Sequence, residues 1–156
     1  MKTYIGVKMI QASKALRYNG KEVYLLGEHP EISKSDVIEE GYEVIYSDGY
    51  KSFSPKAVFE KAYMEITGKD NKVAQADVES FIIETTDMII GEKTTVVQAT
   101  LKNGFTITES SSCVDPSNFN QEIGKEICLE RIEDKVWNLL GFLLQSGICG
   151  FSRKAE

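Results

Sequence analysis

Histidine, cysteine, proline and tryptophan are scarce in this chain: one His, three Cys, three Pro and one Trp among 156 residues. The lone His29, between Glu28 and Pro30, excludes a histidine-rich metal site, and any Ser-His-Asp triad would have to recruit it from a polar, loop-like stretch. Cys113, Cys128 and Cys149 form no CxxC pair, and their odd number argues against a disulfide framework or a zinc site. Reduced thiols are the expectation. No apolar run approaches the ~18 residues that span a bilayer. The opening Met1–Gly6 segment lacks a long apolar stretch with a cleavage site, so a cytoplasmic chain is expected. Positive charge is also short: 18 Lys and Arg against 24 Asp and Glu leave a net charge of -6. Such a balance disfavours long nucleic acid, whose phosphates demand a basic surface. It leaves room for a small anion held by a few local donors.

What is present reads as a globular α+β protein, 42% hydrophobic and 27% charged. Thr3–Ile10 has the mixed alternation of a first strand. A polar region from Ser13 to Gly20 follows, then a short strand at Val23–Leu26, then a loop from Glu28 to Gly41. Tyr42–Tyr46 and Tyr50–Phe53 flank Ser47-Asp48-Gly49 and predict a hairpin, because glycine accepts positive φ without a steric penalty. Ser54-Pro55 then predicts a capped helix to about Ile66, with Val58, Phe59, Ala62 and Tyr63 on one face. The turn-rich Thr67–Lys72 marks a module boundary, giving modules at 1–68 and 73–150.

The second module repeats the plan without repeating the sequence. A short helix near Ala76–Ile83 precedes strands at Thr85–Ile90 and Thr94–Leu101. Lys102-Asn103-Gly104 turns the chain into Phe105–Thr108. Asp115-Pro116 starts another capped segment, and Asn120–Leu144 predicts a long amphipathic helix with Ile123, Ile127, Ile132, Val136, Leu139, Leu140 and Leu143 on its stripe. That helix also carries Leu129, Trp137 and Leu144, so more than one face is apolar. A homo-oligomer is expected from this.

Two resemblances add to the reading. Met1–Gly6, Ile10-Gln11-Ala12, Gly41-Tyr42, Tyr46-Ser47-Asp48-Gly49-Tyr50-Lys51-Ser52-Phe53-Ser54-Pro55-Lys56, Val58-Phe59-Glu60 and Ala62-Tyr63 together resemble the second type of phage Thoeris anti-defence protein. The resemblance covers about residues 1–66. It implies a cyclic-nucleotide sponge that sequesters a signal such as glyco-cyclic ADP-ribose or a cyclic dinucleotide without cleaving it, and that assembles as an oligomer. Phe53 stands where that family commonly has tryptophan, and Lys14–Glu40 lacks the family's Trp-containing segment. Residues 78–144 resemble a phage early-gene family of unassigned chemistry. Its carriers are Thr94-Thr95-Val96, Leu101-Lys102-Asn103-Gly104-Phe105, Ser112-Cys113-Val114-Asp115-Pro116, Asn118-Phe119-Asn120, Glu122-Ile123-Gly124-Lys125, Lys135-Val136-Trp137 and Leu140-Gly141.

The candidate ligand residues follow from residue chemistry. Tyr46, Tyr50 and Phe53 are aromatic surfaces for a nucleobase, each stacked base contributing roughly 1–3 kcal/mol; their alternative is to fill the sheet. Ser52, Ser54 and Lys56 surround a helix start that favours phosphate, or merely cap it. Asp48 is a turn residue or an acceptor for ribose hydroxyls. Ser112, Asn118 and Asn120, with Ser111, form a polar cluster that either holds a ligand or caps the long helix. No catalytic constellation, metal-binding signature or cofactor motif stands out, so a non-enzymatic binder is expected. The alternatives are an enzyme that degrades the same signal and a protein–protein inhibitor or assembly factor.

Overall fold

The computed structural model describes residues 1–68 and 71–152. The chain divides into two compact units, one built on Met1–Glu65 and the other on Ile66–Cys149. Both are α+β, with antiparallel sheets and a long helix closing the second. Lys69 and Asp70, within the predicted boundary turn, lie outside the described residues.

In the first unit, β1 (Gln11–Tyr18), β2 (Glu22–Leu25), β3 (Ile38–Ile45) and β4 (Lys51–Pro55) form a sheet ordered β2-β1-β3-β4. The first strand is not where the alternation placed it. Residues 1–10 have no regular structure, and Tyr4 and Ile5 are exposed. The strand is instead the segment read as polar from Ser13 onward. Its Ala15, Leu16 and Tyr18 are buried, and Arg17 is paired with Glu39 across the β1–β3 register. A cross-strand ion pair lets a charged residue sit in a central strand, which local polarity cannot announce.

The helix α1 (Lys56–Ala62) starts one residue later than predicted and has no side-chain cap. Pro55 occupies the cap position, and Ser54 is a β4 residue paired with Tyr42. The expected capping role of Ser54 is therefore absent. Phe59 stacks on Tyr42 with ring centroids 4.0 Å apart, and Tyr63 continues the array at 5.0 Å. The i, i+4 spacing of Phe59 and Tyr63 puts both on the same helical face.

The second unit packs α2 (Gln75–Phe81) and α3 (Gln121–Cys149) with a sheet of β5 (Ile82–Ile90), β6 (Thr94–Leu101) and β7 (Thr106–Ser112) in the order β5-β6-β7. Alternate residues of β6, namely Thr95, Val97, Ala99 and Leu101, are fully buried. Against them α3 sets Cys128, Ile132, Val136 and Leu140, one every turn. Each large aliphatic buried there contributes roughly 1.5–3 kcal/mol. The buried line is offset from the predicted stripe: Ile123 and Leu139 are exposed, while Gly124 is buried. The reason is steric. A Cβ on Gly124 would lie 2.5 Å from Thr95 Oγ1 and 2.8 Å from Thr95 Cβ, so the helix approaches β6 at its glycine.

Asp77, 1% exposed, ties the start of this unit together. Its carboxylate accepts from Thr67 N (2.7 Å), Thr67 Oγ1 (2.8 Å) and Ala74 N (2.7 Å). On the sheet, Asp87 of β5 binds Lys125 Nζ at 2.8 Å and Gln121 Nε2 at 2.8 Å, fixing the first turns of α3.

Candidate functional site

The β3–β4 hairpin presents a partly exposed aromatic pair in the first unit. Its three-residue loop is closed by Tyr46 N donating to Tyr50 O at 2.9 Å and Gly49 N donating to Tyr46 O at 2.9 Å. Gly49 takes φ 82°, the left-handed position such loops require. Asp48 Oδ1 accepts from Tyr50 N at 3.0 Å, so Asp48 is committed to the turn. This places Tyr46 and Tyr50 side by side, centroids 5.9 Å apart and planes 31° from parallel. Tyr50 is 64% exposed. Lys8 Nζ stands 5.9 Å from the Tyr46 ring centroid, adding a cation to the aromatic pair. A base-stacking surface next to an ammonium is what a nucleotide needs from one side.

The other first-unit candidates separate. The register Val44↔Ser52 and Tyr42↔Ser54 puts both serines on the sheet face of Tyr42 and Val44. Phe53, paired with Glu43, is on the opposite face. There its ring lies against Gly41, whose added Cβ would fall 2.5 Å from Phe53 Cζ, and the Arg17 guanidinium covers it at 4.6 Å. Phe53 is thus already sandwiched. Lys56 Nζ is paired with Glu40 at 3.3 Å, and this hydrogen-bonded carboxylate raises its pKa. Lys56 is thus engaged by a carboxylate on a neighbouring strand, and no side chain caps the seven-residue α1.

In the second unit, Ser112, Asn118 and Asn120 do come together. They line a cavity of about 180 Å³ with Lys93, Thr95 and Phe119. Asn120 Oδ1 accepts from Glu122 N at 3.0 Å and Ile123 N at 3.2 Å, which is a helix cap. Ser112 Oγ bonds Thr94 Oγ1 at 2.9 Å. Asp115 caps the 3-10 turn Pro116–Asn118 through Ser117 N at 2.8 Å, and the Ser117 bonds hold its carboxyl below the usual range. The volume is below the ~300–1,000 Å³ typical of pockets enclosing drug-sized ligands. It is too small to enclose a ligand of dinucleotide size.

Lys8, Arg17 and the Tyr42–Phe59–Tyr63 array were missed as partners of the hairpin residues. Only the Phe59–Tyr63 spacing signals any of these contacts in the sequence; the rest depend on strand register. His29 Nδ1 is within 3.2 Å of Tyr18 Oη and 3.0 Å of Pro30 O, half-buried against the first sheet. Burial raises the pKa of the Cys128 thiol. Cys113 Sγ donates to Asp115 O at 3.1 Å. Among the described residues no group of His, Cys, Asp and Glu has the arrangement to hold a metal ion, and no helix is long and apolar enough to cross a membrane.

Comparison with known proteins gives one family match. The model described as "Phage protein (N4 Gp49/phage Sf6 gene 66) family" matches residues 56–148, from α1 to the last turn of α3. No curated protein matches, and no solved structure matches.

Proposed function

Because the chain belongs to this phage protein family, we propose that it works for a phage inside the host bacterial cytoplasm, capturing a cyclic nucleotide immune signal without cleaving it. The carrying observation is the open Tyr46–Tyr50 pair with the Lys8 ammonium beside it. The motif resemblance of residues 1–66 supplies the ligand class, glyco-cyclic ADP-ribose or a cyclic dinucleotide. Ser52 and Ser54 share the sheet face that leads to the tyrosines and supply hydroxyl donors. Nanomolar capture corresponds to about -12 kcal/mol. One exposed hairpin surface does not supply that, so the proposal includes a homo-oligomer in which a second copy covers the other side of the ligand.

Binding is expected to show as thermal stabilisation. At a hundredfold excess over Kd the gain is about 2.7 kcal/mol, a rise of several degrees in Tm. Tyr50→Ala, at a position already exposed, should keep the fold and lose roughly 1–3 kcal/mol of binding. Phe105→Ala in the second unit should bind as the parent does. No shift with any member of a panel of cyclic ADP-ribose isomers and cyclic dinucleotides would count against the reading.

A second reading, an inhibitor or assembly factor acting on a host protein, is favoured by one feature. A groove of about 490 Å³ runs between β7 and α3, lined by Phe105, Lys135, Asn138 and Leu139. Ligand-independent retention of one host protein, lost in Phe105→Asp and kept in Tyr50→Ala, would support it over the first.

A further inference from the structure

A sheet edge offers unpaired N–H and C=O groups to any other strand, and soluble proteins blunt such edges. The two sheets have four edges. In the first, β2 has only four residues, and β4 has five, ends in Pro55 and passes directly into α1. In the second, β7 is polar; its Ser110 carbonyl accepts from Arg131 at 2.9 Å, and Glu109 is paired with Lys135. The remaining edge, β5, is different. It is nine residues long and carries Ile83, Met88, Ile89 and Ile90, each between 47% and 59% exposed.

The β5 sequence is also complementary to itself. Two copies related by a two-fold axis pair antiparallel with the axis at one residue. An axis at Glu84 or at Asp87 would set a carboxylate opposite its own copy, and an axis at Thr85 would leave Ile89 and Ile90 with no strand residue opposite them. With the axis at Thr86, Thr85 faces Asp87, Glu84 faces Met88 and Ile83 faces Ile89. No like charges meet, the Thr85 hydroxyl stands opposite the Asp87 carboxylate, the Glu84 stem lies along Met88, and apolar residues meet at the ends. Each copy brings the β-bulge between Ile82 and Glu84, with Ile83 as its extra residue, to one end of the paired stretch, so both ends are closed by a bulge.

We propose that β5 is the subunit interface: two copies join their β5 strands antiparallel about Thr86 to make one continuous six-stranded sheet. The interface is isologous, so it uses up both apolar edges and leaves the two blunted β7 strands outermost. Growth therefore stops at the pair. This placement rests on the oligomer part of the function proposed above and is independent of the ligand.

The test is a site-directed cross-link, read beside light scattering. In a chain carrying Cys113→Ser and Cys149→Ser, with the buried Cys128 left in place, Thr86→Cys should oxidise to a disulfide-linked dimer. Glu84→Cys should not, because the two introduced thiols would stand about 14 Å apart along the strands, beyond disulfide reach. Ile89→Lys should convert the parent dimer to a 17.5 kDa monomer with an unchanged circular dichroism spectrum. Cross-linking in Glu84→Cys but not in Thr86→Cys, or an oligomer that persists in Ile89→Lys, would overturn the β5 interface while leaving the oligomer intact. A parent chain that is monomeric at tens of micromolar would overturn both.

Discussion

Replacing Asp77 with alanine is expected to destabilise the Ile66–Cys149 unit by about 3–5 kcal/mol, enough to unfold a marginal small domain. The substitution leaves the Thr67 amide, the Thr67 hydroxyl and the Ala74 amide without their shared acceptor. Thr67 is exposed and Ala74 half-buried, so water partly replaces the lost acceptor and each donor costs toward the lower end of about 1–3 kcal/mol. The sole tryptophan, Trp137, lies in α3 of the same unit, so its fluorescence in a urea titration reads the loss directly. The pH dependence has a definite sign. Burial is the largest single influence on this carboxyl and pushes its pKa up, but the bonds from Ala74, Thr67 and Gly68 together outweigh it and hold it below the ordinary range. Stability from a depressed carboxylate is present above the unfolded pKa of about 3.9 and is lost as pH falls through the folded value. Melting temperature should therefore fall below about pH 4. In Asp77→Asn that contribution to the acid limb should disappear.

Gly41→Ala should destabilise the first unit by about 2–3 kcal/mol, although alanine normally costs less chain entropy than glycine. An added Cβ would collide with the Ser54 carbonyl oxygen and lie 2.5 Å from Phe53 Cζ. The phenyl ring could be removed by mutation; the backbone oxygen could not. Gly41→Ala combined with Phe53→Ala should accordingly be no more stable than Gly41→Ala alone. Circular dichroism during thermal unfolding is the appropriate measurement, since this unit lacks tryptophan. Recovery of parent stability in the double variant would show that the ring, and not the β3–β4 backbone approach, is what excludes a side chain at Gly41.

Turn chemistry is local and legible in the sequence, whereas contacts made across strands are not. Asp48-Gly49 and Asn103-Gly104 announce their hairpins because turn chemistry is local, and both glycines take positive φ, 82° and 83°. The long helix is legible from its apolar spacing, although its true end is Cys149 rather than Leu144. The first strand is not legible. Ser13, Lys14 and Arg17 look like loop residues until β3 supplies Glu39 on the neighbouring strand. The predicted helix stripe misses Gly124 because its burial depends on Thr95 across the sheet–helix contact.

The site divides the same way. Tyr46, Asp48 and Tyr50 belong to one local turn, so their association is visible in sequence. Phe53 is three residues further on, and its fate is set by Gly41 and Arg17, which belong to other strands. Ser112, Asn118 and Asn120 are close in sequence and stay together, but their bonds in the structure are caps and cross-strand contacts.

Capture without turnover at the hairpin tyrosines is open to direct test. The direct measurement is to incubate the purified chain with a slight deficit of glyco-cyclic ADP-ribose, or of a cyclic dinucleotide that raises its Tm, and separate the bound complex. Heat denaturation then releases the small molecule for mass spectrometry. The ligand should return intact and near-stoichiometric from the parent chain, and Tyr50→Ala, titrated near the parent Kd, should bind it roughly 5- to 150-fold more weakly. A cleaved product would make the protein an enzyme. Equal affinity in Tyr50→Ala would move the site away from the hairpin, and failure of the folded parent to retain any ligand would contradict capture outright.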